Sequence, residues 1–596
     1  MKARKSNCAR IFFDRRDFLK SLAAGMICAS GGKLLGGQTA VTARHPAFHT
    51  RHIPVEHLNL ETPMGRDVVR NGLCDAIKPD VLKQLRDLGV ELVEMRVAWW
   101  EIEPEPGRFD WSRTLRDMDV VLNAGLKVGM FAWFHYPPAW YDPEHKIHAR
   151  FRAVDNSVES AVLSLWDPKT VEVYDRLLGV SADVLKGRLS FVYNSISGTY
   201  GEVDYGVHSK HYRFSSPAGG YPLGDRCARA SFAGALKEKY GSIDALNAAW
   251  GVRAASFGDD LVPKRPFAKN PLKQRDDCMQ WATGSLLDFT DRVCGLYRKH
   301  YPGVTGGLPM GHVRETMEIG QIKSLAAKVA AKHGLTARWT GCAHLKSFDR
   351  SNLLARRIAS AAHFYGAPFG TEAALILEKE NAANGLYESL ANGAALIHDD
   401  PQNILRAVEV HRQLRPGMVV DPPETSVAVF YPVEDDLLCI DGFSWEDLVA
   451  NCAALRRVTD YDVCDSYMIA DGYLKKTRDL VFPVSSLLRE DTARAIVAFV
   501  VGGGRVWLFG DTELMLLHQS TTLVKLAEKQ GVSLHGLEQV SSSGLYRFSD
   551  WNSLARYLIR QTFSIPDGGE PCYRTMHKQY ESCYFPRKAC IEIRPR

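Results

Sequence analysis

The sequence predicts an α/β protein: a (β/α)8 TIM barrel over residues 44–418, then a smaller doubly wound α/β domain over 419–520, and a small, partly β C-terminal region over 521–596. Three observations predict it. A chain of 596 residues is too long for one compact core, so two to four domains are expected. From about residue 50 to 415, short β-rich runs alternate with longer helical stretches, the order that builds a parallel sheet. Eight such units favour closure into a barrel over an open sheet.

The elements follow in order. A helix over 78–88 passes through Gly89 into a strand at Val90–Val97, and a helix over 112–124 passes through Gly125 into Lys127–Trp133. Glycine just beyond a helix supplies the left-handed residue that ends it. Further strands are expected at Leu189–Ile196, Val304–Leu308, Ala337–Thr340, Pro368–Glu372 and Ala394–His398, with the first of the eight near Val55–Leu60. In the second domain, strands are expected at Ser426–Tyr431, Tyr461–Val463 and Leu480–Pro483, and a helix over 489–500 leads to a strand at Arg505–Phe509. Gly502, Gly503 and Gly504 follow a helix and precede a strand, the reverse of a dinucleotide fingerprint, so they read as a helix-ending turn. The domain carries no Gly-x-Cys-x-Gly elbow and reads as structural.

Arg15-Arg16-Asp17-Phe18-Leu19-Lys20, the weakly apolar run Ser21–Ile27 and the small residues Val41-Thr42-Ala43 read as a twin-arginine export signal over 1–43. A periplasmic or extracellular location is therefore expected. No later segment reaches the ~18 apolar residues of a membrane span. The signal carries eight Lys/Arg and two Asp/Glu, a net +6 against +5 for the whole chain, which leaves −1 on the rest. That balance gives no nucleic-acid footprint. The 13 cysteines include no Cys-x-x-Cys pair and no paired Cys/His spacing, so neither a structural metal nor a cofactor is expected. Cys572, Cys583 and Cys590 cluster near the end, where one disulfide could form.

In a barrel of this kind, chemistry sits at the C-terminal strand ends, where the loops converge. Two acidic residues stand there beside glycines. The strand from Ser190 runs into Gly198-Thr199-Tyr200-Gly201-Glu202, and Pro368-Phe369-Gly370-Thr371 runs into Glu372, after the fourth and seventh strands. Two carboxyl groups facing one cleft suit cleavage of a glycosidic bond: one protonates the leaving oxygen, and the other attacks the anomeric carbon or activates water. Trp99, Trp100, Trp133, Trp140 and Trp339 lie at or just past strand ends, and two or three of them are expected to reach the cleft and stack on sugar faces. His135, Asn194 and Tyr205 are further substrate-binding candidates. Glu101, Glu103 and Glu105 read as solvated or structural, and His398-Asp399-Asp400 as cleft lining without direct chemistry. Substrate specificity is expected in the long segment 203–280.

The run Arg96-Val97-Ala98-Trp99-Trp100-Glu101-Ile102-Glu103-Pro104-Glu105-Pro106-Gly107-Arg108-Phe109-Asp110-Trp111 resembles the second-strand signature of glycoside hydrolase family 42, the β-galactosidase family. Pro137-Pro138-Ala139-Trp140 and the helical stretch Phe232–Gly251 are similar to two further segments of that family, and residues 425–515 resemble its amidotransferase-like trimerisation domain. The likeness covers most of residues 55–515. It implies Glu202 as general acid/base, Glu372 as nucleophile, Arg96 beside Glu372 holding it ionised, and a homo-oligomer, a trimer in the family. One departure stands out: Gly201 occupies the place where the family has Asn, and Gly201-Glu202-Val203-Asp204-Tyr205 is similar to the acid motif of the inverting family 14 β-amylases. The resemblance therefore implies a retaining exo-β-glycosidase of β-galactosidase type, acting on a glycoside, oligosaccharide or polysaccharide. The alternatives are an inverting family-14-like glycosidase or a catalytically degenerate carbohydrate-binding barrel.

Overall fold

In a computed structural model, the chain is described over residues 46–558 with internal gaps, the longest at 53–76, 373–384 and 413–423, and at the strands 569–572 and 592–595. The predicted signal at 1–43, the strand expected at 55–60 and the side chains of Cys572, Cys583 and Cys590 lie outside the described residues.

Eight parallel strands close a barrel: β1 (Ala47–His52), β2 (Leu92–Ala98), β3 (Lys127–Trp133), β4 (Leu189–Tyr193), β5 (Thr305–Met310), β6 (Thr336–Thr340), β7 (Phe369–Glu372) and β8 (Leu396–Asp399). Each strand pairs with its sequence neighbour, and β8 closes on β1 with Ala47 opposite Leu396. Helices α1 (Pro79–Asp87), α2 (Ser112–Asn123), α3 (Lys169–Leu185), α4 (Leu272–His300), α5 (Lys323–Lys332), α6 (Phe348–Tyr365) and α7 (Pro401–Arg406) follow the strands. Strands covered on both faces carry apolar side chains toward the helices and a second set toward the barrel axis. Here the axial set is charged at its centre, which explains where the sequence reading slipped. The first strand is Ala47–His52, not a segment at 55–60. Its Ala-Phe-His-Thr-Arg-His text lacks an apolar run because His49 and Arg51 face the barrel interior.

A second, six-stranded parallel sheet holds β9 (Val427–Phe430), β10 (Asp462–Cys464), β11 (Asp479–Phe482), β12 (Arg505–Phe509), β13 (Leu534–Gly536) and β14 (Gly544–Phe548), in the order β10-β9-β11-β12-β14-β13. Gly503 takes φ +107°, the left-handed turn that separates the helix Glu490–Val501 from β12. The boundary read at residue 520 falls inside this sheet, since β13 and β14 extend the α/β domain at least to Phe548. The two domains share a continuous core. Asp276 of α4 takes Arg489 at 3.1 Å and His518 at 2.8 Å from the second domain. Among the described residues, no helix is long and apolar enough to cross a membrane, and no group of three or more His, Cys, Asp or Glu is placed to hold a metal ion.

Candidate active site

Glu372 ends β7, in register with Thr340 of β6 and His398 of β8. Its buried carboxylate accepts from Arg51 Nη2 at 2.8 Å, Arg338 Nη2 at 2.5 Å and Thr340 Oγ1 at 2.9 Å. Burial alone would raise its pKa, but the two guanidiniums outweigh burial and hold Glu372 below the ordinary carboxyl value.

The contacts continue on both sides. Arg51 Nε meets Asp400 at 2.5 Å, and Arg338 Nη1 meets Glu94 of β2 at 3.0 Å. The result is a buried line in which carboxyls and guanidiniums alternate: Asp400, Arg51, Glu372, Arg338, Glu94. Burial pushes Asp400 up to about 6 and Glu94 up to about 7, against the pull of the arginines. Burial, with Asp400 beside it, also pushes Asp399 up to about 7. Arg338 lies 4.4 Å from the centre of the Tyr193 ring, and the Tyr193 hydroxyl shares a 2.7 Å hydrogen bond with His49 Nδ1. Burial and Arg338 push His49 down to about 3, and burial lowers His398 as well, so both imidazoles are neutral.

Glu202 sits on the turn after β4. The amide of Gly198 donates to the Glu202 carbonyl at 2.9 Å, and Val203 N donates to Pro309 of β5 at 3.1 Å, which ties the turn to the barrel. The Glu202 carboxyl rests on Gly311, just past β5, where a Cβ would collide with it. Gly201 adopts φ +81°, and a Cβ there would overlap Ser195 Oγ. The Asn of the family therefore does not fit this turn. Glu202 is only 4% exposed. Burial first, then the charge of Glu202, raises the Tyr200 phenol, while Arg51 opposes. Glu202 and Glu372 thus both stand at the C-terminal end of the barrel strands, after β4 and at the end of β7.

The structure separates the remaining candidates. The cations on Glu372 are Arg51 and Arg338, whereas Arg96 faces Glu101 at 3.5 Å, with Trp133 and Trp100 ring centres at 4.7 and 5.7 Å. The reason is position along β2: Glu94 stands level with the pair on Glu372, and Arg96 lies two residues nearer the rim. Trp133 alternates inward with Phe131 and packs edge-on against Trp100. Trp99 is fully buried and donates its indole N–H to Glu103 Oε2 at 2.6 Å. Glu103 also takes both Nη atoms of Arg176, so it and Trp99 hold the turn rather than a substrate. Trp140 is anchored to the Glu103 carbonyl at 2.9 Å. Trp339 lies between Arg338 and Thr340, which both reach Glu372, so strand alternation points it outward into the helical core. Asn194 is buried just past β4, its backbone N–H donating to the Gly307 carbonyl at 2.9 Å. Tyr205 donates to the Ala282 carbonyl and stacks on Trp166 at 5.4 Å, a packing role. His135 is buried against Trp133 and Tyr136 and shares a 3.0 Å hydrogen bond with Ser195 Oγ.

Arg51, Arg338 and Glu94 join the site without having been expected from the sequence. For two of them a signal existed: Glu94 and Arg338 are charges within short barrel strands, and a charge facing a barrel interior requires a buried counter-ion.

A parallel (β/α)8 barrel with carboxylates after its fourth and seventh strands, followed by a doubly wound domain, defines the β-galactosidase-like fold of clan A glycoside hydrolases. The comparisons make it more particular. No family model matches the chain. The catalytic mutant of the family 42 β-galactosidase of G. stearothermophilus superposes with a TM-score of 0.58 at 15% identity, over 78% of this chain and 72% of its own. A β-galactosidase of Thermus sp is 26% identical over 233 residues, 37% of this chain and 33% of that protein. A β-amylase of Niallia circulans is 28% identical over 200 residues, 30% of this chain and 35% of its own. The matched segments thus span about a third of the length of these curated relatives. The fold is that of the family 42 β-galactosidases, with a second likeness to β-amylases.

Proposed function

We propose that the protein is a glycoside hydrolase, a retaining exo-β-glycosidase of β-galactosidase type that acts outside the cytoplasm on a glycoside or oligosaccharide. Glu372 attacks the anomeric carbon and forms a glycosyl ester. Glu202 protonates the leaving oxygen, then takes a proton from the water that releases the sugar. The observation that carries this reading is the Glu372 carboxylate, held ionised between Arg51 and Arg338 at the end of β7, with Glu202 buried on the turn after β4. An anion stabilised at low pH is what a nucleophile needs beside a protonated acid. The homo-oligomer is part of the reading through the family resemblance, as is the structural role of the α/β domain.

Glu372→Gln and Glu202→Gln are each expected to lower turnover of an activated aryl β-galactoside by at least ~10²-fold, with the melting temperature little changed. Wild-type-like turnover in either variant removes that residue from the mechanism. The similarity of the Gly201-Glu202 turn to β-amylases favours a second reading, inversion through an activated water. Proton NMR of the first-formed sugar anomer separates the two. Sugar binding without turnover in the wild type would support a binding barrel instead.

A further inference from the structure

The line Asp400–Arg51–Glu372–Arg338–Glu94 carries two cations and three carboxyls. Charge balance therefore depends on which carboxyls are ionised. In the resting site, Glu372 and Asp400 suffice to neutralise Arg51 and Arg338, and a third anion would leave the buried line at −1. Once Glu372 becomes a glycosyl ester its charge is gone. Arg51 still has Asp400, but Arg338, only 1% exposed, is left with Glu94 as its sole carboxyl in the line. A buried guanidinium without a counter-ion costs several kcal/mol.

We propose that Glu94 is a positioning residue that acts through Arg338: neutral while Glu372 is a free carboxylate, it ionises as the glycosyl-enzyme forms and supplies the counter-charge that Glu372 gives up. This inference rests on the reading of Glu372 as nucleophile. The step balances. A Glu372 oxygen bonds to the anomeric carbon, the glycosidic C–O bond breaks, the leaving oxygen takes the proton of Glu202, and the Glu94 proton passes to solvent. On deglycosylation Glu372 regains its charge and Glu94 its proton.

The surroundings of Glu94 support a proton that comes and goes. Arg51 and His49 face the same interior from β1, Tyr193 from β4, Arg338 from β6, Glu372 from β7 and His398 from β8, while Arg96 lies two residues along its own strand. His398 Nε2 is 3.4 Å from Glu94 and both histidines are neutral, so Arg51 and Arg338 are the cations that bear on Glu94. Burial, the largest influence, then the charge of Glu372 keep the Glu94 carboxyl protonated up to about 7. The Glu372 contribution disappears in the ester, so Glu94 then gives up its proton more readily.

The test is first-turnover kinetics with dinitrophenyl β-galactoside from about pH 5 to about pH 9, on the full chain. Burst rate reads glycosylation and the steady phase reads deglycosylation. In the wild type the burst rate is expected to rise with pH through about 7. In Glu94→Gln that rise is expected to vanish, with glycosylation slowed at least ~10-fold at pH 8 while deglycosylation stays within ~3-fold of wild type. A merely structural role would depress both steps together. Glu94→Asp keeps an ionisable group and is expected to keep the rise with a displaced midpoint, which decides the matter if Glu94→Gln does not fold. A Glu94→Gln profile that tracks wild type at every pH, equal loss in both steps, or an unmoved midpoint in Glu94→Asp overturns the inference. If the wild type gives no dinitrophenol, or Glu372→Gln keeps the burst, the nucleophile reading fails and this inference with it. A burst abolished in Glu372→Gln but unchanged in Glu94→Gln defeats this inference alone.

Discussion

At the scale of single residues, two glycines shape the turn and the space that hold Glu202. Gly311 leaves the space that the Glu202 carboxyl fills, and Gly201 gives the turn its positive φ while clearing Ser195. Ser195 in turn holds His135. Gly311→Ala is therefore expected to displace the Glu202 carboxyl. Turnover of an activated galactoside should fall at least ~10-fold, with a smaller effect on melting temperature, because the clash is with one side chain rather than the backbone. Turnover equal to wild type would show that Glu202 does not need its present position. That Glu202 and Glu372 stand at strand ends was legible in the sequence, because glycine-bearing text and a strand end coincide at each. The pairing of Arg51, Arg338 and Glu94 was not, because the partner of a buried charge is fixed by barrel closure and not by neighbours in sequence. Trp99, Trp339 and Tyr205 take packing roles for a related reason. A residue near a strand end faces either the cleft or the helices, and only the register decides which.

At the scale of elements, legibility followed polarity. Lys127–Trp133 was read to the residue because six of its seven positions are buried and apolar text is continuous. β1 was misplaced because its axial positions are His49 and Arg51, so a barrel strand reads as a polar segment. β13 and β14 were missed for a similar reason: Leu534-His535-Gly536 is short and half-exposed, and Gly544–Phe548 lies beyond a serine-rich turn. Yet β14 pairs with β12 over five residues and buries Leu545 and Tyr546. A chain ending at residue 520 is thus expected to expose the edge of β12 and to aggregate, by light scattering and limited proteolysis of the purified protein. A soluble, protease-resistant product would mean that the sheet is complete without β13 and β14.

At the scale of the whole molecule, the α/β domain is tied to the barrel by charge as well as by apolar contact. Asp276 of α4 binds Arg489 and His518, and Arg357 of α6 lies 3.4 Å over the Tyr431 ring. The barrel and its companion were both legible as fold class because alternation of helix and strand persists over hundreds of residues, whatever happens at single positions. Export belongs to this scale too. Arg15→Lys with Arg16→Lys is expected to retain the protein in the cytoplasm of a host with a twin-arginine pathway, scored by fractionation. Unchanged export would assign the segment 1–43 another role. The central claim, that Glu372 carries the glycosyl group, is tested most directly by trapping with a fluorinated β-galactosyl fluoride, digestion, and mass spectrometry of the labelled peptide. The account predicts one sugar adduct on Glu372, absent from Glu372→Gln. Full turnover of galactosides with no adduct, or an adduct on another carboxylate, would contradict it.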